Sequence, residues 1–270
     1  MGSIKTHSNF SLLRVGTLFS YEKYKHGVCK KNGVKHSLLL DLFSRRYREE
    51  THLKLKKLAK MYAEKQGCIF TAETPQASLV EVFVEKSYDR DGFLPTPGET
   101  VVDVGASFGD TSIWWAKVFK AEVLAFEPLA DVYSILVKNI ELNSANIKAF
   151  NMAIGEGTEI TGKLYGSMFK NTHTGSIRTF ETKTLDNLKL KKVDILKIDV
   201  EGFEYDVLQG ASKLLQEQKP RLILEVHSIE LRGKCETFLS KLDYKLIFEG
   251  RKIWADVENL DVCQDLFFST

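Results

Sequence analysis

The chain has 270 residues, 43% hydrophobic and 27% charged, with a net charge of +2, a balance that excludes collagen-like, low-complexity and disordered classes. No apolar run reaches the roughly 18 residues of a membrane span, and no apolar stretch follows the polar first residues, so a cytoplasmic protein without a secretory leader is expected. The four cysteines, Cys29, Cys68, Cys235 and Cys263, form no Cys-x-x-Cys pair, which argues against a zinc site and a disulfide framework.

Charge is unevenly spread. Residues 1–66 hold 15 Lys and Arg against 5 Asp and Glu, whereas residues 67–270 hold 23 against 31. This predicts a basic, mainly helical N-terminal extension (1–66) joined to an acidic body (67–270). The basic face is either solvated or touches phosphate, on RNA or lipid headgroups. Residues 38–65 lack Pro and Gly and predict one long helix or two shorter ones, with Leu38, Leu42, Leu53, Leu58, Met61 and Tyr62 as a loose apolar face and Gly67 as the stop. Residues 68–71 and 80–84 read as strands, the second alternating polar and apolar. Residues 89–98 carry turn formers and mark a boundary.

From there strands alternate with helices. Strands are predicted at 101–104, 123–126, 147–152, 195–198, 222–226, 245–248 and 252–254, and helices at 111–119, 132–142, 205–215 and 231–242. Short apolar runs separated by helices predict an α/β fold with a doubly wound, mostly parallel seven-stranded sheet. The alternation says nothing about the reaction.

Four segments carry chemistry. Asp103-Val104-Gly105-Ala106-Ser107-Phe108-Gly109-Asp110-Thr111 lies at a strand-to-helix turn. Its glycines let backbone approach a ligand, and the helix start offers N–H groups. A dinucleotide turn has three glycines and holds a pyrophosphate; here two glycines sit between Asp103 and Asp110, which suit a cationic amino acid part and a sulfonium. Glu127, 22 residues after Gly105 at the end of the next strand, is placed to bind both ribose hydroxyls. Asp199 and Glu201 follow an apolar strand, and so point at the same crevice. Glu204 reads as an acid at a helix start. His227 ends another strand, where a neutral imidazole could accept a proton. His173 falls in a Gly/Thr/Ser-rich stretch that reads as a surface loop.

In this order, the segments resemble the FkbM-type methyltransferase family. The resemblance runs through Val102–Ala106, Gly109–Ser112, Ala125–Pro128, Asn151–Gly155, Thr184–Leu188, Leu196–Glu204 and Leu224–His227. Ser107 stands where the family commonly has Asn, and residues 1–66 fall outside it. The resemblance implies a Rossmann-like methyltransferase domain, S-adenosylmethionine as cofactor, and O-methylation of a hydroxyl, often on sugars or secondary metabolites. Carried over, Asp103, Gly105 and Gly109 surround the methionine part, Glu127 holds the ribose, Met152 and Ala153 lie near the adenine, and Asp199 closes the site near the methyl. Ala106, Ser107, Asp110, Thr111 and Pro128 are expected to bind the cofactor with them.

The residues designated catalytic are His227, Asp199 and Glu201, with His227 or Asp199 as base. Asp199 and Glu225 could instead share a Mg²⁺ that lowers the hydroxyl pKa, although no metal site is favoured. The acceptor is expected to be a small molecule or glycan. Alternatives are an RNA methyltransferase gripping phosphate through residues 1–66 and a non-catalytic nucleotide-binding module. An NAD-dependent oxidoreductase lacks its third glycine. A homo-oligomer stays open.

Overall fold

In the computed structural model, which describes residues 25–34, 45–165, 168–170, 176–256 and 261–270, the branched apolar runs become the strands of one sheet. In chain order the elements are α1 (Arg45–Lys65), α2 (Gln76–Val80), a π turn (Glu81–Glu85), β1 (Thr100–Val104), α3 (Asp110–Val118), β2 (Glu122–Phe126), α4 (Ala130–Asn143), β3 (Ile147–Phe150), β4 (Ala153–Ile154), β5 (Glu159–Tyr165), β6 (Met168–Lys170) and β7 (Ser176–Lys183). There follow β8 (Ile195–Ile198), α5 (Glu204–Gly210), α6 (Ser212–Gln218), β9 (Arg221–Ser228), α7 (Ile229–Ser240), β10 (Lys245–Asp256) and β11 (Asp261–Ser269).

The seven-stranded sheet has the order β10-β11-β9-β8-β1-β2-β3. The stretch β9-β8-β1-β2-β3 is parallel throughout, while β11 runs antiparallel between β9 and β10. Strands buried on both faces are mostly apolar, as Ile195, Leu196 and Ile198 are around Lys197. Strand order reverses between β1 and β8, which opens a crevice beyond the carboxyl ends of these strands. A second sheet, β4-β7-β5-β6, carries Ala153 and Ile154 on one edge. The α/β class and the seven-stranded, mostly parallel sheet are as the sequence predicts.

Several local expectations are corrected. Helix α1 covers 45–65; residues 38–44 lie outside the described residues, as does His173. Its core-facing residues are Leu55, Ala59 and Ala63, one turn apart, whereas Leu53 and Met61 are half exposed, at 50% and 51%. Of the expected face, Leu58 and Tyr62 do pack against this core. Gly67, at φ 76°, stops it as expected, and Cys68 N–H closes the end on Ala63 O at 2.9 Å.

Residues 68–71 form no strand. Their backbone is satisfied by two side chains of α4 instead. Asn143 Oδ1 accepts from Ile69 N–H and Asn139 Oδ1 from Thr71 N–H, both at 2.9 Å. Residues 80–84 are helical, because Val82, Phe83 and Val84 are all buried and a strand would turn one of them outward. The predicted helix at 205–215 is two, α5 and α6, interrupted at Ala211 where Gly210 lies against the Gly155 carbonyl. The strands predicted at 245–248 and 252–254 are one, β10. The β5–β7 hairpin and β11 are additions.

The arm before β1 shares its core with the sheet: Leu55, Ala59, Phe83 and Trp115 belong to one buried apolar cluster. Asn139 ties them further, donating to Thr74 Oγ1 (2.8 Å) and to Phe108 O (2.9 Å) in the turn after β1. Replacing Asn139 with Ala leaves buried groups on both sides unpaired, and should cost roughly 2–4 kcal/mol in denaturant unfolding. A change below about 0.5 kcal/mol, the range of ordinary surface substitutions, would mean that these bonds do not hold the arm.

Candidate functional site

A cavity of about 400 Å³ opens at the switch point, lined by Gly105, Ser107, Asp110, Thr111, Glu127, Pro128, Met152, Ala153, Asp199 and Glu201 among the expected residues. Asp103, Ala106, Gly109 and His227 are not in its lining.

The glycines build the turn rather than admit a ligand. A side chain on Gly105 would strike the Asp199 carbonyl, and one on Gly109 would strike Leu136. Both have positive φ, 83° and 84°. Ser107 is left-handed too, at φ 49°, which explains why Asn, the side chain that best tolerates this region, is common at its position.

Asp103 is wholly buried and does not reach the cavity. Its Oδ2 accepts from Ser112 Oγ at 2.6 Å and its Oδ1 from Lys197 Nζ at 3.1 Å. Asp103 and Lys197 are register partners across β1 and β8. Lys197 Nζ also lies 3.5 Å from Asp199 Oδ2. Burial works against the ammonium, but Asp103 and Asp199 outweigh it and push its pKa up. Lys197 lines the cavity and is a residue the motif reading missed. A lysine inside Ile-Leu-Lys-Ile, opposite an aspartate in Val-Val-Asp-Val, was its signal.

Glu127 is held before any ligand arrives. Its Oε2 accepts from Ser107 N–H (3.1 Å) and its Oε1 from Leu129 N–H (2.8 Å). Burial raises its pKa to about 7 despite these two bonds, which lower it. Asp110, at the start of α3, is likewise raised by burial, against hydrogen bonds from Ser78 and the Thr111 N–H.

At the other end, carboxylates surround His227. Its Nδ1 is 2.8 Å from Glu204 Oε1, and its Nε2 is 3.3 Å from Glu201 Oε2 and 3.9 Å from Asp199 Oδ1. Both ring nitrogens face carboxylate oxygens. Burial disfavours the cation, yet Glu204, Glu201 and Glu225 raise the pKa well above the usual 6.5. These carboxylates raise the proton affinity of the ring and so favour the imidazolium over the neutral imidazole expected from the sequence. The proton affinity sits on Asp199, which burial and Glu225 raise to about 7 against the lowering by Lys197 and His227.

Asp199, Glu225 and His227 place ligand atoms within 4.8 Å of one another, a spacing that could hold Mg²⁺. Lys197 and His227 already bring positive charge to that point, which keeps the metal reading unfavoured. Tyr88 was missed as well, because its segment read as strand and turn. Its buried hydroxyl reaches Glu225 Oε2 at 3.2 Å and Glu81 Oε1 at 3.4 Å.

Glu127 yields a prediction with a worked sign. The unfolded carboxyl ionises near 4.5 and the folded one near 7, so folding stability falls between these values and the cost is complete above pH 7. Glu127→Gln should therefore flatten the fall in stability of the ligand-free protein between pH 4.5 and about 7, while its single amide oxygen keeps only one of the two N–H bonds. If Glu127 accepts from ribose hydroxyls, the same change should weaken S-adenosylhomocysteine binding by about 1.5–3 kcal/mol. Thermal melts and calorimetry read the two effects; unchanged affinity removes Glu127 from the site.

The sequence matches the family described as methyltransferase FkbM domain over residues 103–246, more than half of the chain. Methyltransferase 1 of Beauveria bassiana is 28% identical over 163 residues, covering 48% of this chain and 64% of that protein. Hexuronic acid methyltransferase AglP of Haloferax volcanii is 28% identical over 134 residues, covering 47% and 55%. The chain thus spans less than two thirds of the length of these relatives. Among solved structures, methyltransferase FkbM from Methylobacillus flagellatus aligns with a TM-score of 0.47 at 16% identity, covering 90% of this chain and 70% of that one. The chain carries an S-adenosylmethionine-dependent methyltransferase domain and belongs to the FkbM methyltransferase family.

Proposed function

We propose that the protein transfers the methyl group of S-adenosylmethionine to a hydroxyl oxygen of a sugar, glycan or small metabolite. The observation that carries this reading is Asp199, a carboxylate on the cavity wall whose proton affinity is raised toward neutrality. A hydroxyl is a weak nucleophile and gains from such a base. Among the relatives, the name of AglP records a hexuronic acid as substrate, a precedent for a sugar acceptor.

The lining fits the cofactor. Glu127 would accept from the ribose hydroxyls, the apolar Met152 and Ala153 would flank the adenine, and Gly105, Ser107, Asp110 and Thr111 would border the methionine end. Asp103, Ala106 and Gly109 act from behind the wall by shaping that turn. S-adenosylmethionine supplies an already activated methyl, so the protein's task is mainly alignment, which can contribute several kcal/mol, on the order of 7–11 at best. As the oxygen–carbon bond forms and the carbon–sulfur bond breaks, Asp199 takes the hydroxyl proton. His227, as a cation, holds Asp199 and Glu201 in place. Residues 1–66 are proposed to be an extension outside the catalytic chemistry, with a homo-oligomer left to measurement. No helix among the described residues is long and apolar enough to cross a membrane.

Calorimetry should show S-adenosylhomocysteine binding and no NAD binding; heat from NAD alone overturns the reading. Once a screen of glycans, metabolites, lipids and RNA has found the acceptor, Asp199→Asn should lower kcat by about 10²–10⁴-fold with little change in S-adenosylhomocysteine affinity. Wild-type kcat should rise with pH through about 7, a value belonging to the Asp199 cluster rather than to one residue. Full activity in Asp199→Asn would contradict this assignment.

A further inference from the structure

Glu204 opens α5, where an acid ordinarily faces water and the free N–H groups of its own helix. It does neither. The residue is wholly buried. Its Oε1 accepts from the Gly202 N–H at 2.9 Å and meets His227 Nδ1 at 2.8 Å. Its Oε2 is buried with no hydrogen-bond partner among the described residues. One oxygen thus carries both contacts, and burial keeps bulk water from competing for it.

Those two contacts reach the segment that carries the base. Residues 199–202 link β8 to α5. Within them Glu201 and Gly202 have φ of 56° and 107°, the first a conformation that a glutamate rarely takes. From α5, Oε1 holds the Gly202 N–H just behind Glu201. From the end of β9, His227 meets the same segment with Nε2, 3.3 Å from Glu201 Oε2 and 3.9 Å from Asp199 Oδ1. The helix that bears Glu204 is anchored in turn, with Val207 and Leu208 wholly buried.

We propose that Glu204 is a positioning residue for methyl transfer: with one carboxylate oxygen it fixes both the backbone behind Glu201 and the ring of His227, and so sets where Asp199 stands against the acceptor hydroxyl. This inference rests on the methyltransferase reading. Glu204 does not line the cavity, so it acts through Gly202 and His227 and not on the reactants. Transfer to oxygen depends on alignment, and a misplacement on the order of 1 Å can cost about 10²-fold in rate. The hydrogen bond at one ring nitrogen also decides how the other is presented, so the clamp requires a proton on Nδ1.

The test uses the full chain, labelled with nitrogen-15 at histidine and saturated with S-adenosylhomocysteine, whose binding is checked first by calorimetry. In the wild type the Nδ1 proton of His227 should be visible and protected from exchange with water. It should survive Glu204→Gln, whose amide oxygen can accept in place of Oε1, and be lost to exchange in Glu204→Ala. With an acceptor in hand, Glu204→Ala should lower kcat by about 10²-fold while S-adenosylhomocysteine affinity changes less than about twofold, and Glu204→Gln should recover about tenfold of that loss. A role confined to folding would lower the unfolding midpoint and leave kcat per bound site unchanged. No proton on Nδ1 in the wild type, full kcat in Glu204→Ala, or Glu204→Gln as damaging as Glu204→Ala overturns the proposal. Should Glu204→Ala fail to fold, the other two spectra decide: the Nδ1 proton present in both supports the clamp, and its absence from either overturns it. Failure of S-adenosylhomocysteine to bind the wild type sinks the methyltransferase reading itself, and this inference with it.

Discussion

A lysine ammonium buried between two parallel strands is the contact on which both the sheet edge and the cavity depend. Lys197 pairs in register with Asp103 and reaches on to Asp199. Without it, the wholly buried Asp103 would be an unpaired charge in the core, a loss of the kind that costs about 3–5 kcal/mol. Through Ser112, Asp103 also fastens the start of α3 to β1, so the same ion pair sets the shape of the turn that carries Gly105 and Ser107. Burial pushes Asp199 and Glu127 toward neutrality although Lys197 works the other way, and the carboxylates around His227 raise its proton affinity against burial.

This strained charge balance is what function requires of the fold. Glu127 is buried with both oxygens already accepting backbone N–H bonds, an orientation fixed in advance of any ribose. Burial costs stability above neutral pH, and ligand hydroxyls would return part of it by satisfying the charge. Preorganisation of this kind places the cost in folding rather than in binding. The arm from α1 to Tyr88 contributes in a parallel way. It closes one side of the cavity by packing into the same core as Trp115.

The parts legible in the sequence are those governed by local pattern. Val101–Val104, Val123–Phe126 and Ile195–Ile198 could only be buried strands, and the residues at their carboxyl ends necessarily converge in an open sheet. That geometry brings Gly105, Glu127 and Asp199 together. Long-range matters were not legible. Val82, Phe83 and Val84 alternate with nothing that distinguishes strand from helix, and their burial is decided by α1 and Trp115, far away in sequence. Cys68–Thr71 takes its hydrogen bonds from asparagines some seventy residues on. The proton affinity of His227 depends first on Glu204 and Glu201, which arrive from the segment after β8 and which no local reading of Leu224–His227 supplies. The inner face of α1 was misjudged for a different reason: contact there is made by alanines, whose small size carries little pattern.

The central claim is that the carboxylates make His227 a cation and leave Asp199 as the proton acceptor. Nitrogen-15 chemical shifts of the His227 ring in labelled, full-length protein report it directly. Between pH 6 and 8 both nitrogens should show the protonated, imidazolium shifts. A neutral tautomer over that range, with one unprotonated nitrogen facing Asp199, would contradict the account and return the base to His227.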